Sequence, residues 1–553
     1  MITQHEIRAG AYYDSVILMQ LQSALAALPA IDDAGVVMAT EANLDLLAAT
    51  GLLPDGLTPS PDDLLIVVKG ADETAVSDAI SQVDDLLRKR RGTASADFAP
   101  KSLDSALKAQ PDAEWVLIST PGRYAAAVAR DALNADKHVF LYSDNVSIAD
   151  ELSLKQLAQE KGRLMMGPDC GTAVINGIGL GFANRVRRGH IGIIAASGTG
   201  LQAVAVEVHN LGGGVSQAIG TGGRDLKEAI GGITAMQALN ALAQDDETGV
   251  IVLISKPPSA TVATKLLQAA QHAGKPVVVN FIGYAPPGRL LGNLLFSNNL
   301  TDAAERAVVM CREGEMGFVE ERRPLRGYVR GLFSGGTLAY EMLLGLQSIL
   351  TPVYSNLSAD PAQTLADPAI SIAHTIVDMG EDYFTQGRLH PMMDNDLRLR
   401  RLQQEAADED VDMIVLDVVL GEGSHPDPAA ELAPAIANAK RAGKRVVAIV
   451  VGTEDDPQGL DGQIERLVAA GAHVFPNVNE ALDYVYNRVP APIAPAVELA
   501  ALGGDGVTAV NIGLESFAES IRAQGGTAVH VDWRPPAGGN AKLAALLAMM
   551  KTK

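Results

Sequence analysis

The sequence feature that most constrains the fold is a short apolar strand that breaks into small residues and continues as a helix. Residues 191–201, IGIIAASGTGL, read as a buried strand, a loop over residues 197–200, and the start of an apolar helix. A second unit of this kind, LFSGGTL over residues 332–338, also precedes an apolar helix. Units of strand, short loop and helix build parallel sheets, so the pattern predicts an α/β fold.

The same two loops are candidates for binding an anion. Several backbone N–H groups are unpaired where a helix starts, and that helix end carries partial positive charge, so it attracts phosphate or carboxylate. The phosphate-binding candidates are Ser197, Gly198, Thr199, Gly200, Ser334, Gly335, Gly336 and Thr337. Two similar loops indicate two related domains, which we expect to present two helix N-termini to one anion.

Composition narrows the class of protein. Of the 553 residues 47% are hydrophobic and only 4% aromatic, with 54 glycines, which favours layered α/β packing over a β-sandwich. The formal net charge is −22 and the sequence has no basic patch, so we expect no nucleic acid as partner.

The cysteines and the apolar runs bear on where the protein is located. The two cysteines, Cys170 and Cys311, make no disulfide framework and fit a cytoplasmic protein. We expect no signal peptide and no membrane span, because no unbroken apolar run reaches about 18 residues.

Strand and helix patterns divide the chain into five parts. Residues 1–95 read as a small α/β module, and residues 96–180 as a Rossmann-like domain. Residues 181–325 and 326–490 repeat the alternation of strand and helix. Residues 500–553 follow a Pro/Ala-rich linker and form an α/β tail, which is too small to fold robustly alone and is expected to dock elsewhere. The predicted class is α/β, with several flavodoxin- or Rossmann-like parallel sheets.

Polar groups follow consecutive predicted strands in the third part. Arg224 and Asp225 come after the strand that ends in GTGG, and Lys256 follows VIVLIS. Because ligands gather at the carboxyl ends of parallel strands, we expect these three catalytic candidates to converge with the first loop on one crevice. The alternative is that Arg224 and Asp225 pair with each other and that Lys256 is solvated. Further candidates for substrate binding are Gly222, Gly223 and, in the motif SDN, Asn145.

Three other features leave alternatives open. His390 in GRLHPMMD is either a general acid or base, and so a catalytic candidate, or a loop residue. Cys170 in GPDCGT is either a nucleophile or, as is commoner for a cysteine beside Gly and Pro, only packed. The carboxylates of Asp378, Asp417 and Asp427 are candidates for Mg²⁺, but their spacing matches no metal motif, so no metal site is predicted.

Several motifs together resemble a known family. GPDCGT, GHIGIIAASGTG and GTGGRD occur in the order found in the α subunit of succinyl-CoA synthetase. Residues 326–490 are similar to the CoA-ligase domain at the C-terminus of its β subunit. Over the full length, SDN, GPDCGT, ASGTG, GGRDL, SKPP, SGGTLA and VLDVVL look like the FdrA family. That family is acyl-CoA synthetase-like, and its members are implicated as a subunit of oxamate carbamoyltransferase in purine (allantoin) catabolism.

Two departures from the synthetases change the chemistry that the resemblance implies. Asn293 in GRLLGNL stands where synthetases carry a phosphorylated histidine, and Lys256 replaces the acidic residue that supports it. An asparagine forms no stable phosphoramidate, so the phosphate carrier is missing, and Asn293 becomes a candidate for substrate binding. No segment resembles an ATP-grasp domain, which holds the nucleotide in synthetases, and residues 1–95 lack a clear GxTGxxG loop for CoA.

The resemblance and these departures favour a carbamoyl-transferring subunit, which would convert carbamoyl phosphate and oxamate to oxalurate and phosphate. In this interpretation the two loops clamp the phosphate, while Arg224 or Lys256 stabilises its charge or holds the oxamate carboxylate. The expected partners are these small anions and other subunits of a homo- or hetero-oligomer, and CoA and Mg²⁺ stay open as cofactors. The alternatives are an NDP-forming acyl-CoA synthetase, succinate–CoA ligase-like, that needs a partner, and a non-catalytic scaffold or regulatory subunit.

Overall fold

The computed structural model describes residues 1–8, 15–54, 56–60, 63–90, 100–286, 288–313, 324–490, 498–502 and 506–535. The chain forms two compact units. The first joins the two ends of the chain, Met1–Val146 and Val507–Lys553, and the second is Ser147–Gly506. The chain therefore leaves the first unit after Val146 and returns to it at Val507.

The first unit begins with a small antiparallel sheet and continues with α/β elements. In chain order the elements are β1 (Ile2–Arg8), α1 (Ser15–Ala26), β2 (Ile31–Met38), α2 (Glu41–Ala49), β3 (Leu64–Gly70), α3 (Glu73–Ser81), α4 (Val83–Arg90), α5 (Leu103–Ala109), β4 (Trp115–Ile118), α6 (Gly122–Asn134) and β5 (His138–Leu141). The antiparallel sheet has the order β1–β3–β2. Local capping starts its helices, as when the Asp72 side chain accepts the Ala75 N–H over 2.9 Å at α3.

The first half of the second unit is built on an eight-stranded sheet. Its elements are α7 (Ile148–Glu160), β6 (Met165–Met166), β7 (Thr172–Ile175), β8 (Ile178–Gly181), β9 (Arg188–Ala195), α8 (Gly198–Asn210), β10 (Val215–Gly220), α9 (Ile233–Gln244), β11 (Val250–Ser255), α10 (Ala260–Gln271), β12 (Val277–Phe281), β13 (Leu290–Leu291), β14 (Leu294–Phe296) and α11 (Leu300–Glu313). The strand order is β13–β14–β12–β11–β9–β10–β7–β8. Strands β14, β12, β11, β9 and β10 run parallel. Because β7 and β8 join this sheet, it begins before the expected boundary at residue 181.

The second half of this unit is a six-stranded parallel sheet. Its elements are β15 (Tyr328–Phe333), α12 (Gly336–Gln347), β16 (Val353–Ser355), β17 (His374–Asp378), α13 (Asp382–Thr385), α14 (Asp396–Ala407), β18 (Val411–Val419), α15 (Pro428–Arg441), β19 (Arg445–Val451), α16 (Leu460–Ala470), β20 (His473–Phe475) and α17 (Val478–Tyr486). The order is β16–β17–β15–β18–β19–β20. Strands β15 and β18 are buried almost throughout, which explains their continuous apolar runs.

The carboxyl-terminal elements complete a sheet of the first unit. They are β21 (Thr508–Ile512), α18 (Glu515–Ala523) and β22 (Thr527–Val531). Strand β21 pairs in parallel with both β22 and β4, so these four strands of the unit have the order β22–β21–β4–β5. The predicted α/β class with several parallel sheets is confirmed. The tail expected to dock elsewhere supplies two strands to the Rossmann-like sheet.

Candidate functional site

The carboxyl ends of β15, β17, β18 and β19 surround a cavity of about 370 Å³ at the start of α12, which we call the α12 pocket. Its lining residues are Ser334, Gly335, Gly336, Thr337, Leu338, Asp378, Gly380, His390, Met392, Val419 and Val451. The pocket therefore joins the second loop to a histidine and a carboxylate, at the edge where parallel sheets bind ligands.

Part of the second loop is occupied by a side chain of the protein itself. The backbone N–H groups of Ser334 and Gly335 donate to the carboxylate of Asp417 over 2.8 and 2.9 Å, and the Ser334 hydroxyl is 3.0 Å from it. Asp417 is fully buried and forms an ion pair of 3.2 Å with Arg398. The sequence predicts phosphate on Ser334 and Gly335, but their donors hold Asp417 instead, which also takes that carboxylate away from Mg²⁺.

The remaining donors of the loop belong to the next two residues. Among the described residues, no acceptor bonds to the backbone N–H of Gly336 or Thr337, which open the first turn of α12. A Cβ added to Gly336 would lie 2.6 Å from Oδ2 of Asp378, so the glycine lets that carboxylate approach the helix start. The α12 pocket therefore offers two N–H groups beside one carboxylate.

His390 and Asp378 each accept a backbone N–H inside the pocket. The Met392 N–H donates to Nδ1 of His390 over 3.3 Å, which leaves Nε2 as the donor of the neutral ring. Oδ1 of Asp378 accepts the Gly380 N–H over 2.8 Å. Burial raises the pKa of the Asp378 carboxyl, as do the charges of Glu381 and Asp417, against the Gly380 N–H and His390. A carboxyl with a raised pKa next to a histidine is a pair suited to acid–base work.

The first loop lies at the carboxyl end of β9, in the eight-stranded sheet. The Ser197 hydroxyl accepts the Gly200 N–H over 3.2 Å and caps α8. Ser197 and Gly198 are half-buried and Thr199 is exposed. None of residues 197–200 lines the α12 pocket, whose described lining comes from residues 334–451 alone. The expected clamp of both loops on one anion therefore stays a prediction.

Asp225 belongs to a buried ion network, which Arg224 joins with a side chain that is 40% exposed. The carboxylate of Asp225, fully buried, accepts from Nζ of Lys155 over 2.7 Å and from the Thr234 and Ala235 N–H groups at the start of α9. Arg224 pairs with Glu151 at 2.8 Å. The catalytic role of Asp225 therefore stays a prediction, and in this structure both of its oxygens accept structural bonds. The alternative pairing of Arg224 with Asp225 is also replaced, since each has another partner.

The neighbouring candidates are placed by the turn after β10 and by β11. Gly222 has φ +87 and packs on the Pro168 carbonyl, where a Cβ would be 2.4 Å away, so its role is close packing. Gly223 is exposed. Lys256 is exposed directly after β11, the neighbour of β9, and its ammonium has no partner among the described residues. It therefore stays available to an anion at the first loop.

Asn293 lies at the opposite end of the strands from the first loop. It forms the turn between β13 and β14, where its carbonyl accepts the N–H of Val277, the first residue of β12. Its Nδ2 donates to the carbonyls of Ala270 and Lys275 over 2.9 and 2.8 Å. A hairpin thus carries Asn293 to the amino edge of the sheet, away from the first loop, and its role in substrate binding stays a prediction.

Cys170 and Asn145 complete the predicted set. The Cys170 thiol is buried, donates to the Gly220 carbonyl over 3.3 Å, and has its pKa raised to about 12 by burial. This supports the packed alternative over the nucleophile. Asn145 belongs to the first unit, where it is exposed with φ +52.

The ionic contacts of three buried charged residues are not predicted from the sequence. Lys155 and Arg398 are buried cations, and Asp417 is the built-in acceptor of the second loop. Lys155 follows Glu151 by four residues on α7, a spacing that predicts an ion pair but not its burial. The Arg398–Asp417 pair joins α14 to β18, and its sequence carries no local signal.

The described part of the chain contains neither a cluster of metal ligands nor a membrane-spanning helix. There, no group of three or more His, Cys, Asp or Glu side chains is arranged to hold a metal ion. Asp427, the third Mg²⁺ candidate, caps α15 and pairs with Arg466 at 2.6 Å. No described helix has both the length and the apolar character needed to cross a membrane.

Three domain families match the chain. They are the heavy metal-associated domain of AllF over residues 1–102, a CoA binding domain over residues 186–283, and a CoA-ligase domain over residues 332–486. Residues 1–102 contain no cysteine, so they offer no thiolate pair for a metal. CoA-binding and CoA-ligase domains thus make up the two halves of the second unit.

Two relatives and one solved structure show what the chain is similar to. The YahF protein of Escherichia coli K12 is 42% identical over 485 residues, which is 84% of this chain and 94% of YahF. The α subunit 2 of succinate–CoA ligase (ADP-forming) from Archaeoglobus fulgidus is 28% identical over 191 residues, 33% of this chain and 64% of that subunit. An acetyl-coenzyme A synthetase from Ca. Korarchaeum cryptofilum, in complex with phosphate and ADP, matches with 16% identity, TM-score 0.28, 68% of this chain and 82% of that one.

Proposed function

Since the chain belongs to the FdrA-like family, which includes the YahF protein of Escherichia coli, we propose that it is the catalytic subunit of a carbamoyl-transferring enzyme. The substrates in this proposal are carbamoyl phosphate and oxamate, and the products are oxalurate and phosphate. The observation that carries it is the meeting of His390, Asp378 and the start of α12 in one cavity of the CoA-ligase domain.

The α12 pocket has the groups that such a transfer needs. The free N–H groups of Gly336 and Thr337, with the positive end of α12, hold the phosphate of the donor. Nε2–H of His390 donates to the bridging oxygen as it leaves. Asp378 serves as base, because a raised pKa makes a carboxylate a stronger proton acceptor than an ordinary one.

The proposed step balances without a covalent enzyme intermediate. The amide nitrogen of oxamate forms a C–N bond to the carbamoyl carbon while the C–O bond to phosphate breaks. Asp378 accepts the proton that the nitrogen loses, while the Nε2–H of His390 donates a hydrogen bond to the departing phosphate oxygen and keeps its proton. Transfer of the proton from Asp378 to the released phosphate then restores the carboxylate.

The first loop and the remaining partners have supporting roles in this proposal. Residues 197–200, flanked by Lys256, bind a second anionic group or the phosphate of CoA, for which the CoA-binding match gives support. Other subunits complete the enzyme, in the cytoplasm, and Mg²⁺ accompanies the phosphate from solution. The competing function is acyl-CoA synthesis with a partner that supplies the nucleotide, favoured by the likeness to a succinate–CoA ligase subunit.

The experiment compares two reactions on the same purified complex. Carbamoyl phosphate with oxamate is assayed for oxalurate and phosphate, and ATP with CoA and succinate for succinyl-CoA. We expect turnover only in the first assay. Turnover only in the second would establish the synthetase instead, and full turnover by a partner subunit without this chain would make this chain a scaffold.

His390→Gln provides the variant for this assay. Glutamine keeps a side-chain N–H donor but places it differently from the imidazole Nε2–H, which weakens the hydrogen bond to the leaving oxygen, so we expect kcat to fall about tenfold with little change in KM. Asp427→Asn, at the cap of α15, is the matched control, because it alters a carboxylate of the same domain that does not line the pocket. A full rate in His390→Gln would mean that the Nε2–H of His390 does not assist the departing phosphate.

A further inference from the structure

We propose that a second cavity, at the carboxyl ends of β12 and β14, binds a small anion that also carries an amide or ureide N–H. We call it the β12–β14 pocket. It has a volume of about 730 Å³, against about 370 Å³ for the α12 pocket, and its described lining falls within residues 280–301. No residue is shared between the two pockets, so this site does not depend on the proposed carbamoyl transfer.

Asn280 provides an acceptor that lacks a donor. It is the fourth residue of β12, it lines the pocket, and it is only 3% exposed. Its Nδ2 donates to the hydroxyl of Ser297 over 3.0 Å, so the amide has a fixed orientation. Its Oδ1 is buried without a hydrogen-bond partner among the described residues. A buried carbonyl without a donor costs free energy, which the N–H of a ligand would recover.

The start of α11 provides donors for an anion. This helix of 14 residues begins at Leu300, and Leu300 and Thr301 line the pocket. The Asn299 side chain already accepts the Asp302 N–H over 2.9 Å, so the cap is formed by the protein. Among the described residues, no acceptor bonds to the N–H of Leu300 or Thr301. The helix therefore presents partial positive charge to the cavity.

Two guanidinium groups meet one carboxylate at this helix start, and Glu305 follows further along α11. Asp302 pairs with Arg306 at 3.1 Å and with Arg289 at 3.7 Å. Arg289 lines the pocket with a side chain that is 56% exposed, so it is free to turn toward a ligand. Two guanidinium groups against one carboxylate favour an anion at this place.

Three aromatic rings make the cavity suited to a flat molecule. Phe281, Tyr284 and Phe296 all line it, and the rings of Tyr284 and Phe296 stack with centroids 6.4 Å apart. A planar amide or ureide can lie on this wall while its N–H reaches Asn280 and its acid group reaches α11. The acid group is a carboxylate or a phosphate, because helix N-termini bind both.

The test is isothermal titration calorimetry of the full chain with four probes. Oxamate and carbamoyl phosphate combine an amide with a carboxylate or a phosphate, whereas acetate and inorganic phosphate lack the N–H. We expect the amide-bearing anion to bind at least about tenfold tighter than the simple anion of the same charge group, since one hydrogen bond is added. Equal binding of the paired probes, or no binding of any probe, would overturn the proposal.

Two variants assign the binding to this pocket. Asn280→Leu removes the acceptor at similar volume and is expected to abolish the tenfold preference, whereas His390→Gln in the α12 pocket leaves it unchanged. Arg289→Gln alters an exposed side chain and is expected to weaken both anions about threefold, so it serves if Asn280→Leu fails to fold. A preference that survives Asn280→Leu, or disappears only in His390→Gln, would place the ligand in the α12 pocket and refute the site. The titration reports binding and not turnover, so a missing preference together with an intact transfer rate would refute this site alone, whereas no binding of any probe would count against both proposals.

Discussion

At the scale of the residue, Asp378 lines the α12 pocket, and ionisation of its carboxyl lowers the stability of the fold. Folding raises the pKa of its carboxyl, chiefly through burial and then through the charges of Glu381 and Asp417. The stability that this group contributes is therefore present in acid, below its unfolded pKa, and is lost as the pH rises through its folded pKa. Asparagine does not titrate, so Asp378→Asn does not lose this stability as the pH rises. Its amide oxygen can still accept the Gly380 N–H.

Asp378→Asn should therefore separate stability from activity. At about pH 7.5 we expect urea unfolding to show the variant at least as stable as the wild type, with the difference vanishing below about pH 4. The transfer rate should fall about 100-fold, and the wild-type rate should increase with pH through the raised pKa of Asp378. A variant that is clearly less stable at pH 7.5 would mean that the charged carboxylate stabilises the fold.

Cys170 is predicted to be chemically inert in the folded chain. A thiol with a pKa of about 12 is almost entirely protonated at neutral pH, and its burial also blocks reagents. Iodoacetamide at about pH 8 should leave Cys170 unmodified until urea is added, as measured by mass spectrometry of its peptide. Cys170→Ala should keep the transfer rate within about twofold. Rapid alkylation of the native chain at this position would restore the nucleophile as an alternative.

At the scale of the element, Asp417 joins the end of β15 to the start of α12. Asp417→Ala leaves the Ser334 and Gly335 N–H groups without their acceptor and Arg398 as a buried cation without its carboxylate. Removing one partner of such a buried pair costs roughly 3–5 kcal/mol, so we expect the free energy of unfolding to fall by about that amount in urea titrations.

The loop that Asp417→Ala exposes should then accept an external anion. Phosphate in the buffer should recover part of the lost stability, because it binds the N–H groups that the carboxylate leaves. Asp417→Asn is the matched control, since it keeps an acceptor oxygen but removes the charge, and it should lose less stability and show no phosphate effect. Equal behaviour of the two variants would mean that the carboxylate is not what holds the loop.

The sequence predicts the helices and strands of the site but not the contacts between them. Both strand–loop–helix units form as predicted, because apolar runs and small residues determine them locally. The acceptor of the second loop was not predicted, because Ser334 and Asp417 are separated by 83 residues and meet only through the pairing of β15 with β18. The position of Asn293 in the sheet is not predicted for a related reason: GRLLGNL gives no sign that its turn sends the chain to the amino edge of the sheet.

At the scale of the whole molecule, the fold class was predictable and the partnership of the chain ends was not. Alternating strands and helices predict parallel sheets, but strand order depends on contacts between distant residues. The pairing of Ala509 with Trp115 and of Ile512 with Ile118 joins segments at opposite ends of the sequence. Residues 500–553 read as a small appendage because their partner strands lie far away along the chain.

Removing the carboxyl-terminal strands should unfold the Rossmann-like sheet but spare the second unit. A chain that ends at Gly506 leaves β4 without β21, and it loses the buried side chains of Val510, Ile512 and Phe517. Such a loss is large against the roughly 5–15 kcal/mol that stabilises a domain.

Tryptophan fluorescence and hydrogen exchange measure this outcome. Of the two tryptophans, only Trp115 remains in the truncated chain. It is buried against His138 in the intact chain, so its fluorescence should shift to the red. Hydrogen exchange should stay slow in β9, β11, β15 and β18, whose sheets lie within Ser147–Gly506. Adding residues 507–553 as a separate peptide should reverse the shift, whereas an unshifted Trp115 in the truncated chain would mean that β4 needs no partner.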